Sequence, residues 1–162
     1  MAYPGYPVTE PELRALGFEP LELRIDPGEE ALPDGPGSKW TTLGEVPAGP
    51  GLYAFSVEEG DDVRIAYVGL TEHLWMVTKG RLPGGGSRPA QRYGRPKYAG
   101  TTRQRVNAEI TAQLRQGRDV RHWVRPMSDP PHERDELRNR LGVEEEEFIQ
   151  RWDLRRLGWN RG

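Results

Sequence analysis

Four consecutive glutamates, Glu144 to Glu147, directly precede the apolar pair Phe148 and Ile149, and carboxylates of this kind can bind a divalent cation. In a helix, one of them shares a face with three apolar residues at positions i, i+3, i+4 and i+7: Glu145, Phe148, Ile149 and Trp152. Glu145 would then turn towards the core, and the other three glutamates should be mostly solvated. An inward carboxylate is costly unless a cation or hydrogen bonds compensate, and a divalent ion is a natural partner.

Two tyrosines occur in short triplets that also contain glycine, GLY at 51–53 and YVG at 67–69. The segments LYAFSV and VRIAYVG have the aromatic and β-branched composition of strands, and EEGDD between them supplies a turn. Together they predict an antiparallel hairpin. The paired triplets lead us to expect that Tyr53 and Tyr67 face one cleft.

The charge of the chain is unevenly distributed, although the net charge is only −2. Residues 1–72 contain 14 acidic and 4 basic residues. Residues 73–108 contain no acidic and 8 basic residues, and residues 109–162 contain 11 acidic and 11 basic residues. The purely basic middle segment is rich in glycine, which is typical of a loop that contacts phosphates, although a solvated loop could have the same charge. Its basic residues are Lys79, Arg81, Arg88, Arg92, Arg95, Lys97, Arg103 and Arg105.

The composition excludes several kinds of site. The chain has no cysteine, so thiol nucleophiles, disulfides and thiolate metal sites are excluded. Its three histidines are widely separated, which argues against zinc, and a catalytic metal would have to bind through oxygen. No apolar run approaches the roughly 20 residues of a membrane span, and the N-terminal sequence lacks the order of a signal peptide. We expect a cytoplasmic protein with no membrane partner.

The elements that would hold these residues indicate an α+β domain, with a small three-stranded antiparallel sheet flanked by helices. In the hairpin, alternation places Val63, Ile65 and Tyr67 on one face of the second strand. The segment DVRHWV alternates in the same way and predicts a half-exposed third strand. Residues 1–50 are interpreted as an N-terminal extension packed on a core domain at 51–162. This extension contains a short helix candidate, TEPELRAL, and a strand-like stretch, LELRI.

Helices are expected between and after these strands. One begins at Thr71 and ends near Gly80, before the basic loop. The next begins at residue 101 or 102 and ends at Gly117, and its apolar face should lie on the sheet. The C-terminal segment is helical in composition, with an interruption at Gly142.

The paired triplets, together with the later segments EEEEFIQRW and GWN, resemble the GIY-YIG nucleases over about residues 51–160. In that family the two triplets bring two phenols to one cleft, and an arginine helix and a catalytic glutamate on a later helix follow. The resemblance implies an endonuclease that hydrolyses phosphodiester bonds with one divalent ion, Mg²⁺ or Mn²⁺. The implied partner is DNA, with RNA as an open alternative.

The resemblance also implies a role for each matching residue. Tyr53 would orient or deprotonate the attacking water, and Tyr67 would position that water or contact the phosphate. Glu145 would hold the metal ion. Asn160 matches the asparagine that follows the glutamate helix in the family, although a terminal Trp-Asn could instead simply dock the tail.

The arginine is where this chain departs most from the family pattern. In the more familiar members the arginine occupies the position of Val77 here. Arg81 lies one helical turn further on and is the first choice for the phosphate contact, and Arg92 is the alternative if this branch carries an insertion. Residues expected to bind the nucleic-acid backbone are Lys79, Arg88, Arg95, Lys97 and Arg103.

Two other functions remain open at this stage. The displaced arginine is compatible with a degenerate relative that binds nucleic acid but does not cleave it. A small α+β interaction module without a nucleic-acid partner is the third interpretation, and the basic segment argues against it. The sequence carries no signal of an oligomeric state.

Overall fold

The computed structural model describes residues 3–26, 39–42, 44–74 and 101–161, and the structural statements below concern this part of the chain. Five strands form one antiparallel sheet in the order β1-β6-β5-β7-β2, and β3 and β4 pair separately. The α+β class is therefore confirmed. In chain order, the elements are β1 (Tyr6–Val8), α1 (Glu10–Ala15), β2 (Glu19–Pro20), β3 (Leu23–Asp26), β4 (Lys39–Thr42), β5 (Gly51–Glu59), β6 (Asp62–Thr71), α2 (Thr101–Arg115), β7 (Asp119–Pro126), α3 (Arg134–Arg151) and α4 (Leu154–Leu157).

The prediction of a small three-stranded sheet was wrong, because the N-terminal residues add a strand at each edge. Strand β1 pairs with β6, and β2 pairs with β7. These strands contain only three and two residues, too few for an alternating pattern to be visible in the sequence. They include Pro7 and Pro20. Proline has no amide hydrogen to donate, and a sheet tolerates this at an edge strand because the outer side of that strand has no partner strand.

Helix α2 covers one face of the sheet, and helices α1, α3 and α4 cover the other. On the first face, the α2-side core is a cluster of buried residues that includes Tyr53, Phe55, Tyr67, Val106 and Ile110. On the second face, the α3-side core includes Leu52, Ile65, Trp123, Phe148 and Ile149. Strand β5 is consequently buried along residues 51–57.

Strand β7 is also buried on both faces, so the prediction that it is half-exposed was wrong. Val120 and Val124 belong to the α2-side core, whereas Trp123 between them is completely buried in the α3-side core. The indole N–H of Trp123 donates a 2.8 Å hydrogen bond to the hydroxyl of Ser56. The alternating pattern predicted that the face carrying Trp123 is exposed. Trp123 is buried instead, because a tryptophan side chain can be buried when its indole N–H has a hydrogen-bond partner.

A β-bulge in β6 places Tyr67 and Ile65 on opposite faces of the sheet. Phe55 pairs with Tyr67, but the next residue of β5 pairs with Ile65, so Ala66 is the extra residue. Tyr67 therefore lies in the α2-side core, and Ile65 lies in the α3-side core. The prediction that Val63, Ile65 and Tyr67 share one face was wrong, because one inserted residue reverses the alternation that follows it.

Several predicted elements are confirmed. The helix predicted in TEPELRAL is α1, whose N-terminus is capped by the Thr9 side chain, and the strand predicted in LELRI is β3. Helix α2 lies on the sheet through its apolar face, as expected. Thr71 is the last residue of β6, and most of the helix expected to follow it lies outside the described residues. Within the described segments, no helix combines the length and apolar character needed to cross a membrane.

Helix α3 continues through Gly142, so the predicted interruption was wrong. A glycine weakens a helix but does not end it when apolar residues on both sides are anchored. Here Leu141 and Phe148 are both buried in the α3-side core, which holds the two halves of the helix in line.

Replacing Gly142 with alanine should therefore stabilise the protein by about 0.5–1 kcal/mol, since it reduces the conformational freedom of the unfolded chain. A methyl group at this position would meet no neighbouring atom within 4 Å. Gly60 is a matched control, because it is equally open but has a φ of +61°, so Gly60→Ala should destabilise by about 1 kcal/mol. Urea unfolding measures both changes, and a destabilising Gly142→Ala would contradict the continuous helix.

Candidate active site

Tyr53 of β5 and Tyr67 of β6 lie side by side in the α2-side core. Their ring centroids are 6.1 Å apart and the ring planes are inclined by 40°. The two residues are only 2% and 7% exposed. The hairpin pairing explains this geometry, because Tyr53 lies opposite Gly69 and Phe55 lies opposite Tyr67 on the same face.

Gly69, the glycine of the second triplet, provides the space that the Tyr53 ring occupies. A Cβ atom at Gly69 would collide with the ring and with its hydroxyl, and it would lie 2.8 Å from Cε1. The phenol of Tyr53 therefore rests directly on the backbone near the end of β6. The glycine is required by this close approach rather than by an unusual backbone angle.

His122 of β7 is a third ring in this cluster, and its proximity to the tyrosines was not anticipated. It stacks on Phe55 at 4.6 Å between centroids and meets Tyr53 edge-on at 5.8 Å. Burial lowers its pKa to about 3, so the imidazole is neutral at pH 7. Strand alternation places His122 with Val120 and Val124, but only the pairing of β7 with β5 shows that this face carries Tyr53.

Glu145 of α3 is half-buried and lies near the backbone amide of Leu70. Burial raises its pKa to about 7, and the charge of Glu146 adds to this effect. The Leu70 amide and, more weakly, the charge of Arg155 oppose it. Glu145 thus occupies the inward face of α3, where a carboxylate gains from a cation.

The tyrosine pair and Glu145 approach the same end of β6. Tyr53 lies over Gly69 on the α2 side, and Glu145 of α3 lies near the amide of the next residue, Leu70. Strand β1 pairs with β6 only along Val63–Ile65 and so does not extend to this end. The arrangement places two phenols and one carboxylate near residues 67–70 of a single strand.

Asn160 fixes the C-terminal segment to the edge of β6 next to this site. Its side-chain oxygen accepts from the Val68 amide at 3.1 Å, and its side-chain nitrogen donates to the Val68 carbonyl at 2.8 Å. The Trp159 amide donates to the Ala66 carbonyl at 2.7 Å. Asn160 is buried, and both ends of its amide are used in docking the tail.

The other three glutamates differ from one another more than expected. Glu147 is exposed, but Glu144 is half-buried and lies 3.6 Å from the Arg125 guanidinium, which is long for a hydrogen bond. Glu146 forms two hydrogen bonds with Arg155. The prediction that all three are mostly solvated was wrong for Glu144, because β7 passes beside this turn of the helix.

Most of the predicted basic residues lie outside the described part of the chain: Lys79, Arg81, Arg88, Arg92, Arg95 and Lys97. The backbone of Arg103 belongs to α2, but its side chain is also outside the described set. Arg105, two residues further on, is described and donates a 2.8 Å hydrogen bond to the Trp159 carbonyl. It therefore links α2 to the docked C-terminal segment.

The described residues contain no group of three histidine, aspartate or glutamate side chains that could enclose a metal ion. A single carboxylate such as Glu145 nevertheless fits Mg²⁺, which commonly keeps several waters and binds through one or two carboxylates and substrate phosphates. The raised pKa of Glu145 also fits, since a nearby cation would favour the ionised carboxylate that burial disfavours.

No protein-family model, curated protein or solved structure matched this chain. The assignment of a function therefore depends on the residues and geometry described above.

We expect Gly69→Ala to destabilise the protein by about 2 kcal/mol, because the added methyl group displaces the Tyr53 ring. In a Tyr53→Leu background the same change should cost at least about 1 kcal/mol less, since the smaller side chain leaves room. Urea unfolding of the four proteins in this double-mutant cycle measures the coupling. Strictly additive costs would contradict the close approach of Tyr53 to Gly69.

Glu145→Gln should make the metal-free protein more stable at pH 8, on the order of 1–2 kcal/mol after allowance for solvent, because it removes a desolvated charge. The folded-state pKa is raised, so the wild type loses stability relative to the variant as pH rises from about 4.5 through about 7. The difference should disappear below about pH 4.5. Urea unfolding in EDTA at several pH values tests this, and a constant difference would contradict the raised pKa.

Proposed function

We propose that this protein is a metal-dependent endonuclease that hydrolyses DNA phosphodiester bonds at the end of β6. The observation that carries the proposal is that three groups lie near the end of β6: Tyr53 and Tyr67 on the α2 side, with Tyr53 over Gly69, and Glu145 of α3 near the amide of Leu70. Glu145 supports the proposal as well, because a half-buried carboxylate is costly unless a cation compensates it.

Each of these residues has a chemical role that its position permits. Tyr53 would orient the attacking water or, as a phenolate, accept its proton and become a neutral phenol, and Tyr67 would orient that water or contact the phosphate. A phenol has an ordinary pKa near 10, so proton transfer to Tyr53 requires positive charge nearby. His122 is neutral and packs against Tyr53, so it restricts the ring without adding charge.

Glu145 would hold Mg²⁺ or Mn²⁺ at the edge of β6. When bound, the ion supplies Lewis-acid stabilisation of the negative charge on the scissile phosphate and on the leaving 3′ oxygen. Burial raises the pKa of Glu145, and the nearby Leu70 amide opposes this rise and so favours the ionised carboxylate. Arg81 or Arg92 would bind the phosphate oxygens, and the basic segment at 79–105 would contact the DNA backbone.

Cleavage of supercoiled plasmid DNA with Mg²⁺ or Mn²⁺, with and without EDTA, tests the proposal directly. Metal-dependent nicking or linearisation supports an endonuclease. Salt-dependent binding of DNA without any cleavage would instead support the non-cleaving alternative. RNA of the same length, tested in parallel, separates the two possible substrates.

Tyr53→Phe should reduce cleavage by about 10²-fold or more, since it removes the hydroxyl that acts on water. Because only one hydroxyl is lost, stability should change by no more than about 1 kcal/mol.

Glu145→Ala should abolish both cleavage and metal binding. Glu147→Ala is the matched control, because Glu147 is exposed on the same helix and should be dispensable. Initial rates on plasmid and calorimetric Mn²⁺ titrations measure these effects, and full activity of Tyr53→Phe would contradict the role of Tyr53.

A further inference from the structure

Arg155 of α4 is held in a fixed orientation beside the glutamate run. Its two terminal nitrogens donate hydrogen bonds of 2.7 Å to the two carboxylate oxygens of Glu146. The chain turns back between α3 and α4 at Asp153, a non-glycine residue with a φ of +49°. This reversal returns Arg155 to a position next to a glutamate nine residues earlier in the chain.

Arg155 lies close to the candidate site as well as to Glu146. Glu146 directly follows Glu145, and both α3 and α4 pack against β6. The charges of Arg155 and Glu145 act on each other's pKa in the expected directions. A guanidinium carries five N–H donors, so two bonds to Glu146 leave donors for another anion, and the side chain is 40% exposed.

Other described arginines near the site are less suitably placed. Arg156, the next residue, pairs with Asp153 and is 73% exposed. Arg105 is bound to the Trp159 carbonyl on the α2 side. Arg125 donates to the Leu16 carbonyl and lies beside Glu144, away from the inward carboxylate.

We propose that Arg155 binds a phosphate oxygen of the nucleic-acid substrate next to Glu145, and that Glu146 is the positioning residue that orients the guanidinium. The inference rests on the proposed function, because it assigns a phosphate contact to the same site. An arginine suits this task because its planar donor group matches phosphate geometry and stays charged at any physiological pH. A carboxylate behind it limits its rotation before substrate arrives.

Binding of a short fluorescent DNA duplex in EDTA, measured by anisotropy over a range of NaCl concentrations, tests the contact without any metal. Arg155→Ala should weaken binding several-fold at low salt and reduce the slope of log K against log salt by about one. Arg156→Ala is the matched control and should change neither quantity. Arg155→Lys should restore the slope, because it keeps the charge. Equal slopes for Arg155→Ala and the wild type would overturn the proposal.

Cleavage kinetics provide a second and separate test. Arg155→Ala should lower kcat/KM by about 10²-fold or more if the contact persists in the transition state. Glu146→Gln should lower kcat about tenfold, the effect expected when a residue that orients a phosphate-binding side chain is lost. The Kd for DNA should stay unchanged or fall, because the substitution removes a negative charge near the phosphate. If Glu146→Gln only damaged the structure, it would weaken DNA binding as well as lower kcat. An unchanged kcat in Glu146→Gln would overturn the role of Glu146.

The failures of the two proposals are distinguishable. If Glu145→Ala is inactive but Arg155→Ala cleaves and binds like the wild type, the nuclease proposal stands and the Arg155 contact is wrong. If the wild type cleaves no DNA with any divalent ion, the nuclease proposal fails. In that case the salt dependence of binding still decides whether Arg155 contacts phosphate.

Discussion

The outer edge of β6 imposes the constraint on which the candidate site depends. Backbone N–H and C=O groups on a strand edge need partners, and β1 supplies them only along Val63–Ile65. Beyond that point side chains from distant parts of the chain do so. Asn160 satisfies both groups of Val68, and Glu145 lies near the amide of Leu70. Closing this edge thus brings the C-terminal tail and α3 to the strand that carries Tyr67.

The bulge at Ala66 links this edge to the chemistry of the tyrosines. It lets Ile65 pack under α3 while Tyr67 turns towards α2 beside Tyr53, so one strand serves both cores. Gly69 then leaves room for the Tyr53 ring at the point where β6 passes Glu145. The tyrosines and Glu145 thus approach the end of β6 from opposite faces of a three-layer fold.

Parts of this arrangement could be predicted from local patterns. The hairpin, α2 and the face of α3 that carries Glu145 follow from periodicities of two and 3.6 residues, which the sequence displays directly. The patterns failed where tertiary contacts override local preference. Gly142 does not end α3, because buried residues hold the helix on both sides. The position of Glu144 depends on the neighbouring Arg125 of β7, a contact that no spacing within α3 could show.

By itself, the sequence determined the kinds of group available: two phenols next to glycines, an inward glutamate, a basic segment and no thiol. It also determined the α+β class, since that follows from local periodicity. Only the tertiary structure decided which of these groups meet. Strand pairing placed His122 beside Tyr53, and the reversal at Asp153 placed Arg155 beside Glu146. Such proximities join residues of different elements, and they arise because burying both faces of the sheet and satisfying its edge leaves few ways to pack the remaining elements.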